Sequence, residues 1–311
     1  MIFKLTKPYT GLDIDGSFLR MVQTVKEKKG WRLIRCNTVQ LPPETLEFSY
    51  KDENIIAPHV FVQVLEETLM GMSGRVENIG LSLPIESLKI VTYKFEGLQQ
   101  DAKNKIRDLI AWKEKETLPY PVEKARISFS SYSPKSMEER LYLAAIGYMD
   151  IVRDYELNIQ HLKLNPKVIR PAVINQINFY MQNFDETGTT AFLGLFDNYF
   201  SFFVFNDDQL IFYRGKRKPV SYIHFMQEID MTIELFHSEY PGKDIERLAL
   251  GRRLASHYNM DTEFDNYPDM DINLIDEEGL ISLDEDVMTD NGELNISSYA
   301  SAIGAAQSLA D

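Results

Sequence analysis

The 311-residue chain is 44% apolar and 26% charged and carries a net charge of −14. Its length exceeds the roughly 250–300 residues that one hydrophobic core serves, so two lobes or several subdomains are expected, and the apolar share excludes a disordered chain. Residues 254–311 hold fourteen Asp or Glu and no Lys or Arg, leaving 33 acidic and 33 basic residues before them, so nucleic acid, which is bound through Lys and Arg, is not an expected partner.

The longest apolar run, 193–205, is broken by Asp197 and Asn198 and falls short of the roughly 18 residues of a spanning helix. The opening Met1-Ile2-Phe3-Lys4 lacks the apolar core of a signal peptide, so a cytoplasmic protein with no membrane span of its own is expected. A single Cys36 excludes an internal disulfide and fits a reducing compartment. The acidic C-terminal fifth reads as a solvated surface, with a docking site for a basic partner as the alternative.

From Tyr9 to Pro42 apolar and polar residues alternate in three runs, with turn residues at Asp15-Gly16 and Lys28-Lys29-Gly30, which predicts an antiparallel β-meander. Pro58 then opens a helix whose Val60, Val64, Leu65 and Leu69 share one face. Strands are predicted over 76–83 and 89–95, and a helix over 99–116 with Ile106, Leu109, Ile110 and Lys113 or Thr117 turned inward. The prolines of Leu118-Pro119-Tyr120-Pro121 force an extended exit from that helix. Strands follow over 126–132 and 140–146, then helices over 150–162 and 168–184.

A second set of strands is predicted over 191–195, 199–205 and 209–213, with a turn at Asn206-Asp207-Asp208. Met226, Ile229, Ile233 and Phe236 mark a helix, and 247–251 a strand. Loops with short strands are expected over 261–293, and Asn295 or Ser297 as the cap of a last small-residue helix. The chain therefore begins its opening strand pattern twice. Such duplication places two similar lobes around a shared cleft, the logic of the actin and sugar-kinase fold.

Three stretches carry a resemblance. Gly11-Leu12-Asp13-Ile14-Asp15-Gly16-Ser17 resembles the first phosphate loop of the PilM family of type IV pilus assembly proteins, G-I-D-I-G-S-S-S. Trp112-Lys113-Glu114-Lys115-Glu116-Thr117-Leu118-Pro119-Tyr120-Pro121 is similar to that family's W-E-A-E-K-x-I-P-F-P. Residues 297–310 sit where the family has its final helix. MshI-like proteins and the cytoplasmic part of type II secretion protein L are relatives of the same kind.

The resemblance implies an α/β, two-lobed actin-like ATPase fold with an FtsA/PilM-type inserted subdomain. Residues 1–78 and 166–188 would form the first lobe, 79–165 the inserted subdomain and 189–296 the second lobe, with 297–311 returning to the first. It implies a cytoplasmic scaffold held at the inner membrane by the N-terminal tail of a PilN-like membrane protein. Trp112, Leu118, Pro119, Tyr120 and Pro121 would border the groove for that tail; the alternative is that Trp112 and Tyr120 fill the subdomain core. An assembly motor ATPase and further copies of the chain are additional partners of the same implication.

The resemblance places remnants of a nucleotide site at Asp13, Gly16, Ser17, Arg20 and Gly251. Ordinary strand-end and turn roles are the competing reading for Asp13, Ser17 and Arg20. Phosphate loops use glycine so that amides can approach phosphate oxygens. Asp15 replaces that glycine, and a carboxylate facing a phosphate at about 4 Å is repelled by roughly 4 kcal/mol, about a thousandfold in affinity; Gly16 would rescue the turn if the register shifts by one.

In the second lobe, the family's D-I-G-A-T-T-T becomes Gly194-Leu195-Phe196-Asp197-Asn198-Tyr199-Phe200. The adenine-side L-S-G-G-G-A becomes Leu250-Gly251-Arg252-Arg253-Leu254. The expectation is a pseudo-ATPase without a cofactor; an active ATPase or small-molecule kinase using ATP and Mg²⁺ is the alternative. His59, His161, His224, His237 and His257 lack metal-ligand spacing, and Asp269, Asp271 and Asn273 imitate a calcium loop without its glycine.

Overall fold

The computed structural model describes residues 7–96, 103–131, 139–181, 187–207, 209–251, 270–285, 287 and 294–310. The chain divides into two compact units, Met1–Leu88 with Tyr148–Asn183 and Asp276–Asp311, and Lys89–Gly147 with Phe184–Ile275.

In the first unit β1 (Tyr9–Ile14), β2 (Phe18–Glu27) and β3 (Gly30–Gln40) form the expected antiparallel meander. Gly30 takes φ +101° in the β2–β3 turn, a conformation open to glycine and costly with a Cβ. β4 (Asn78–Leu83) and β8 (Asn165–Pro171) extend the sheet in parallel beyond β1. On the far side the short β14 (Ser282–Leu283) runs parallel to β3.

Side chains alternate across these strands, so Leu12, Ile14, Leu19, Met21, Ile79 and Leu81 point to one face. There they form a core with Phe61 and Leu65 of α1 (Pro58–Met70) and Ile151 and Tyr155 of α3 (Met149–Gln160). The opposite face carries Gly11 and Gly80, over which the helix α7 (Ala300–Gln307) lies. A Cβ at Gly11 would stand 1.9 Å from the Ala302 carbonyl oxygen, and one at Gly80 1.9 Å from that of Ala305. Only glycine permits so close an approach of helix and sheet. Polar pins fix it: Ser82 Oγ donates to the Ser301 carbonyl at 3.0 Å and accepts from Asn175 Nδ2 of α4 (Ala172–Tyr180) at 2.7 Å.

Several expectations are corrected. Residues 165–171 were expected to be inside or just before a helix over 168–184, yet they form β8. Val168 and Ile169 pair with Gly80 and Leu81, and Pro171 keeps Arg170 extended, so the helix starts only at Ala172. The last helix is entered through a 3₁₀ turn, Ile296–Tyr299, with no side-chain cap from Asn295 or Ser297; Ser297 Oγ donates instead to Asn295 Oδ1 at 2.6 Å.

The division also departs from the expected boundaries. Residues 79–83 and 149–160 fall in the expected inserted subdomain, but Ile79, Leu81, Ile151 and Tyr155 share the first unit's core. Residues 276–285, assigned to the second lobe, belong to the first unit, where β14 joins β3 and Glu277 Oε1 of α6 (Glu277–Leu280) accepts from the Tyr180 hydroxyl at 2.8 Å.

The second unit contains β9 (Thr189–Leu195), β10 (Tyr199–Asn206) and β11 (Gln209–Arg217) as an antiparallel meander, with β12 (Arg247–Leu250) and β13 (Asp271–Leu274) parallel beyond β9. Helix α5 (Tyr222–Glu239) buries Phe225, Ile229, Ile233 and Phe236 against Leu193, Phe200 and Phe202. A three-stranded sheet in the order β5 (Leu88–Glu96), β7 (Glu139–Tyr148), β6 (Ala125–Ser131) forms its own core with α2 (Lys103–Glu114), through Tyr93, Phe95, Ile106, Ile110 and Tyr142. Within this unit the Lys94 ammonium lies 4.6 Å above the Tyr240 ring.

Among the described residues the larger sheets run β14-β3-β2-β1-β4-β8 and β11-β10-β9-β12-β13. Apart from β14, both are a meander followed by two parallel strands. The repetition read from the sequence is thus a repetition of topology.

Candidate functional site

The first turn of each meander is built on one plan. Asp15 N donates to the Phe18 carbonyl at 3.1 Å, and Leu41 N to that of Ser17 at 2.8 Å. In the second unit Phe196 N donates to the Tyr199 carbonyl at 2.8 Å, and Lys218 N to that of Asn198 at 2.9 Å. These turns occupy the places where the sequence resembles phosphate loops.

In the first turn the Asp15 carboxylate folds back on its own backbone. Its Oδ1 accepts from Ser17 N at 2.9 Å and Phe18 N at 2.8 Å, and its Oδ2 is paired with Arg20 Nη1. Arg20 is buried on β2 directly across the ladder from Asp13, whose Oδ2 lies 3.8 Å from the same nitrogen. The Phe18 ring backs the guanidinium at 4.9 Å. Above the turn, the Phe48 ring comes within 3.2 Å of where a Cβ on Gly16 would be.

Asp13, Gly16, Ser17 and Arg20 are therefore brought together. The expectation that Asp15 points at an incoming phosphate is corrected, because its carboxylate is held inside the turn. The Ser17 and Phe18 amides of this turn are both bonded to that carboxylate.

The turn in the second unit carries bulky side chains. Phe196 is buried, and the Tyr199 hydroxyl lies so near Gly215 that a Cβ there would stand 2.4 Å from it. Gly251 is buried at the end of β12, just after Leu250, whose carbonyl accepts from Ile275 N at 2.9 Å. Arg252, Arg253 and Asp269 lie outside the described residues. Asp271 and Asn273 are on β13, where Asn273 Nδ2 donates to Asp271 Oδ2 at 2.8 Å. Among the described residues no group of three metal-ligating side chains occurs.

The second candidate region is the end of α2. At 3.6 residues per turn Ile106, Ile110 and Glu114 share the buried face, and Trp112, two positions beyond Ile110, points the other way. Trp112 is 74% exposed and Tyr120 9%. Leu118 is half-buried against the subdomain core, while Pro119 and Pro121 are exposed. Burial thus separates the two aromatics, Tyr120 enclosed and Trp112 exposed. Lys113, expected inside, is exposed with its ammonium 5.9 Å from the Phe95 ring.

The residue missed by the sequence reading is Glu114. Its carboxylate accepts from Lys89 Nζ at 2.5 Å and from the hydroxyls of Tyr93 and Thr117. Burial pushes its acidity weaker, but these donors outweigh burial and hold the carboxyl below its ordinary range. Burial and the bond to Glu114 push the Tyr93 phenol well above its own range. The anion and its donors tie the last turn of α2 to β5 just before the 118–121 segment. Only the spacing of Glu114 from Ile106 and Ile110 hinted at this.

Two sheets that share a five-strand order, each opening on the same hydrogen-bonded turn, define an α/β protein with the actin-like ATPase fold. The structure is similar to the "PilM-PilN type IV pilus biogenesis complex" over 97% of this chain and 98% of the other, at TM-score 0.80 and 14% identity. It is also similar, at TM-score 0.54 and 10% identity over 96% and 97%, to a protein of unknown function with an actin-like ATPase fold from Bacteroides thetaiotaomicron VPI-5482. No protein-family model and no curated protein matches the sequence. Among the described residues no helix is long and apolar enough to cross a membrane.

Proposed function

We propose that this chain is a scaffold of a bacterial type IV pilus, or of a related secretion system, working on the cytoplasmic side of the inner membrane. The observation that carries the reading is the likeness, over nearly the whole of both chains, to the PilM–PilN complex. On this reading the partner is a PilN-like membrane protein. Its short N-terminal tail docks beside the exposed Trp112 and the Leu118, Pro119, Tyr120, Pro121 segment, where main-chain bonds and side-chain pockets would share recognition of an extended peptide. An assembly motor ATPase and further copies of the chain are secondary partners.

The same proposal makes the protein a pseudo-ATPase that works without ATP and Mg²⁺. Asp15 on the first turn's amides, together with Phe196 and Tyr199 in the second turn, supports it.

Calorimetric titration tests both parts. A synthetic peptide of the PilN-like tail from the same source is expected to bind with a micromolar Kd, and the absence of saturable binding would overturn the scaffold reading. Mg-ATP is expected to give no saturable heat. Micromolar binding of Mg-ATP would instead favour an active ATPase or kinase of this fold.

A further inference from the structure

We propose that the Asp15 carboxylate is a built-in substitute for a bound phosphate, and that it closes a latent anion site formed by the Ser17 and Phe18 amides and the Arg20 guanidinium. The inference rests on the pseudo-ATPase reading and gives it a mechanism.

The three donors converge on one carboxylate. Two consecutive-turn amides reach a single oxygen, Oδ1, at 2.9 and 2.8 Å, and Arg20 takes the other. Backbone amides and a guanidinium directed at one point make an anion site wherever they occur, because their partial and full positive charges add there. The Arg20 and Asp15 side chains are 6% and 16% exposed, so water does little to replace either partner. Arg20 cannot lose its proton and stays paired with Asp13 at 3.8 Å, so without Asp15 the two amides lose their acceptor beside a cation that persists, and an anion would meet both there.

A nucleotide-binding turn gains its order from the phosphate it holds. Here order comes from the chain itself, which suits a scaffold whose shape must not depend on nucleotide supply. The Phe48 ring stands beside Gly16, which is itself exposed.

Thermal melts in potassium phosphate, against sodium chloride of equal ionic strength, provide the test. Asp15→Ala is expected to rise by about 3 °C or more between about 1 and 50 mM phosphate, as expected of an anion that binds only the folded form, while the wild type stays flat. Asp15→Asn keeps an acceptor for both amides and should respond far less than Asp15→Ala. Equal slopes for wild type and Asp15→Ala, or a flat Asp15→Ala that is folded by circular dichroism, would overturn the proposal.

Should Asp15→Ala fail to fold, the amide resonances of Ser17 and Phe18 in the wild type decide. They are expected not to move when phosphate is added, and a saturable shift at both sinks the idea. A flat Asp15→Ala with no Mg-ATP binding by the wild type removes this inference alone. Wild-type binding of Mg-ATP with shifts at Ser17 and Phe18 removes the pseudo-ATPase reading as well.

Discussion

At the scale of single residues, the cost of an ion pair is decided by its surroundings. Arg20 is buried between Asp13 and Asp15, whereas Arg75 pairs with Glu77 at 3.3 Å with side chains 81% and 49% exposed. Removing one partner of a buried pair strands the other and costs about 3–5 kcal/mol, while an exposed pair is worth about 0–1. Arg20→Met should therefore lower the stability measured by urea denaturation several times more than Arg75→Met; equal losses would mean that the Asp15 turn is open to water.

Glu114 gives a pH prediction. Its folded-state carboxyl is held below the ordinary range, so the unfolded chain binds the proton more readily and stability falls on acidification. The contribution is full above the ordinary carboxylate range near pH 4.5 and is lost as the pH falls through the lower folded value. Glu114→Gln should flatten that acid limb in denaturation midpoints recorded from pH 6 to 3, and at neutral pH it should lose about 2 kcal/mol of charge-assisted bonding.

At the scale of elements, the contact of α7 with the sheet depends on missing side chains. A Cβ on Gly80 would overlap the Ala305 carbonyl, so the helix or the strand must move in Gly80→Ala. Overpacking of this kind typically costs about 1–3 kcal/mol. Amide hydrogen exchange over Ala300–Gln307 should accelerate in the variant while exchange in α5 is unchanged. Unchanged exchange in α7 would mean that the helix is not seated on β4.

Elements were legible where the local pattern decides alone: the alternation of β1–β3 and β9–β11, the proline start of α1, and the apolar face of α5. β8 was not legible, because Val168 and Ile169 fit either a helix or a buried parallel strand, and only their pairing with β4 decides. For the same reason α3 passed for part of an insertion: a helix does not state which sheet its apolar side covers.

At the scale of the whole chain, the doubled strand order was readable because both meanders open with the same apolar runs and short polar turns. The chemistry of the turns was readable only as residue types. That Asp15 is charged is visible in the sequence; that it bonds backwards to Ser17, Phe18 and Arg20 depends on the side-chain direction the turn imposes.

Trp112 stands between the two cases, since the helical period predicts its direction and the exposure agrees with it. An aromatic ring of that size left 74% exposed contributes little to the subdomain core, yet buried aromatic residues dominate the energy of binding sites. Trp112→Ala should thus leave the denaturation midpoint within about 0.5 kcal/mol of wild type, as surface substitutions do. The same substitution should weaken the PilN-like tail peptide at least about tenfold, a loss of about 1.4 kcal/mol. Tyr120→Ala should do the reverse, lowering stability first, because its ring is buried. If Trp112→Ala destabilises the fold and spares the peptide, the tail does not dock on this face of α2.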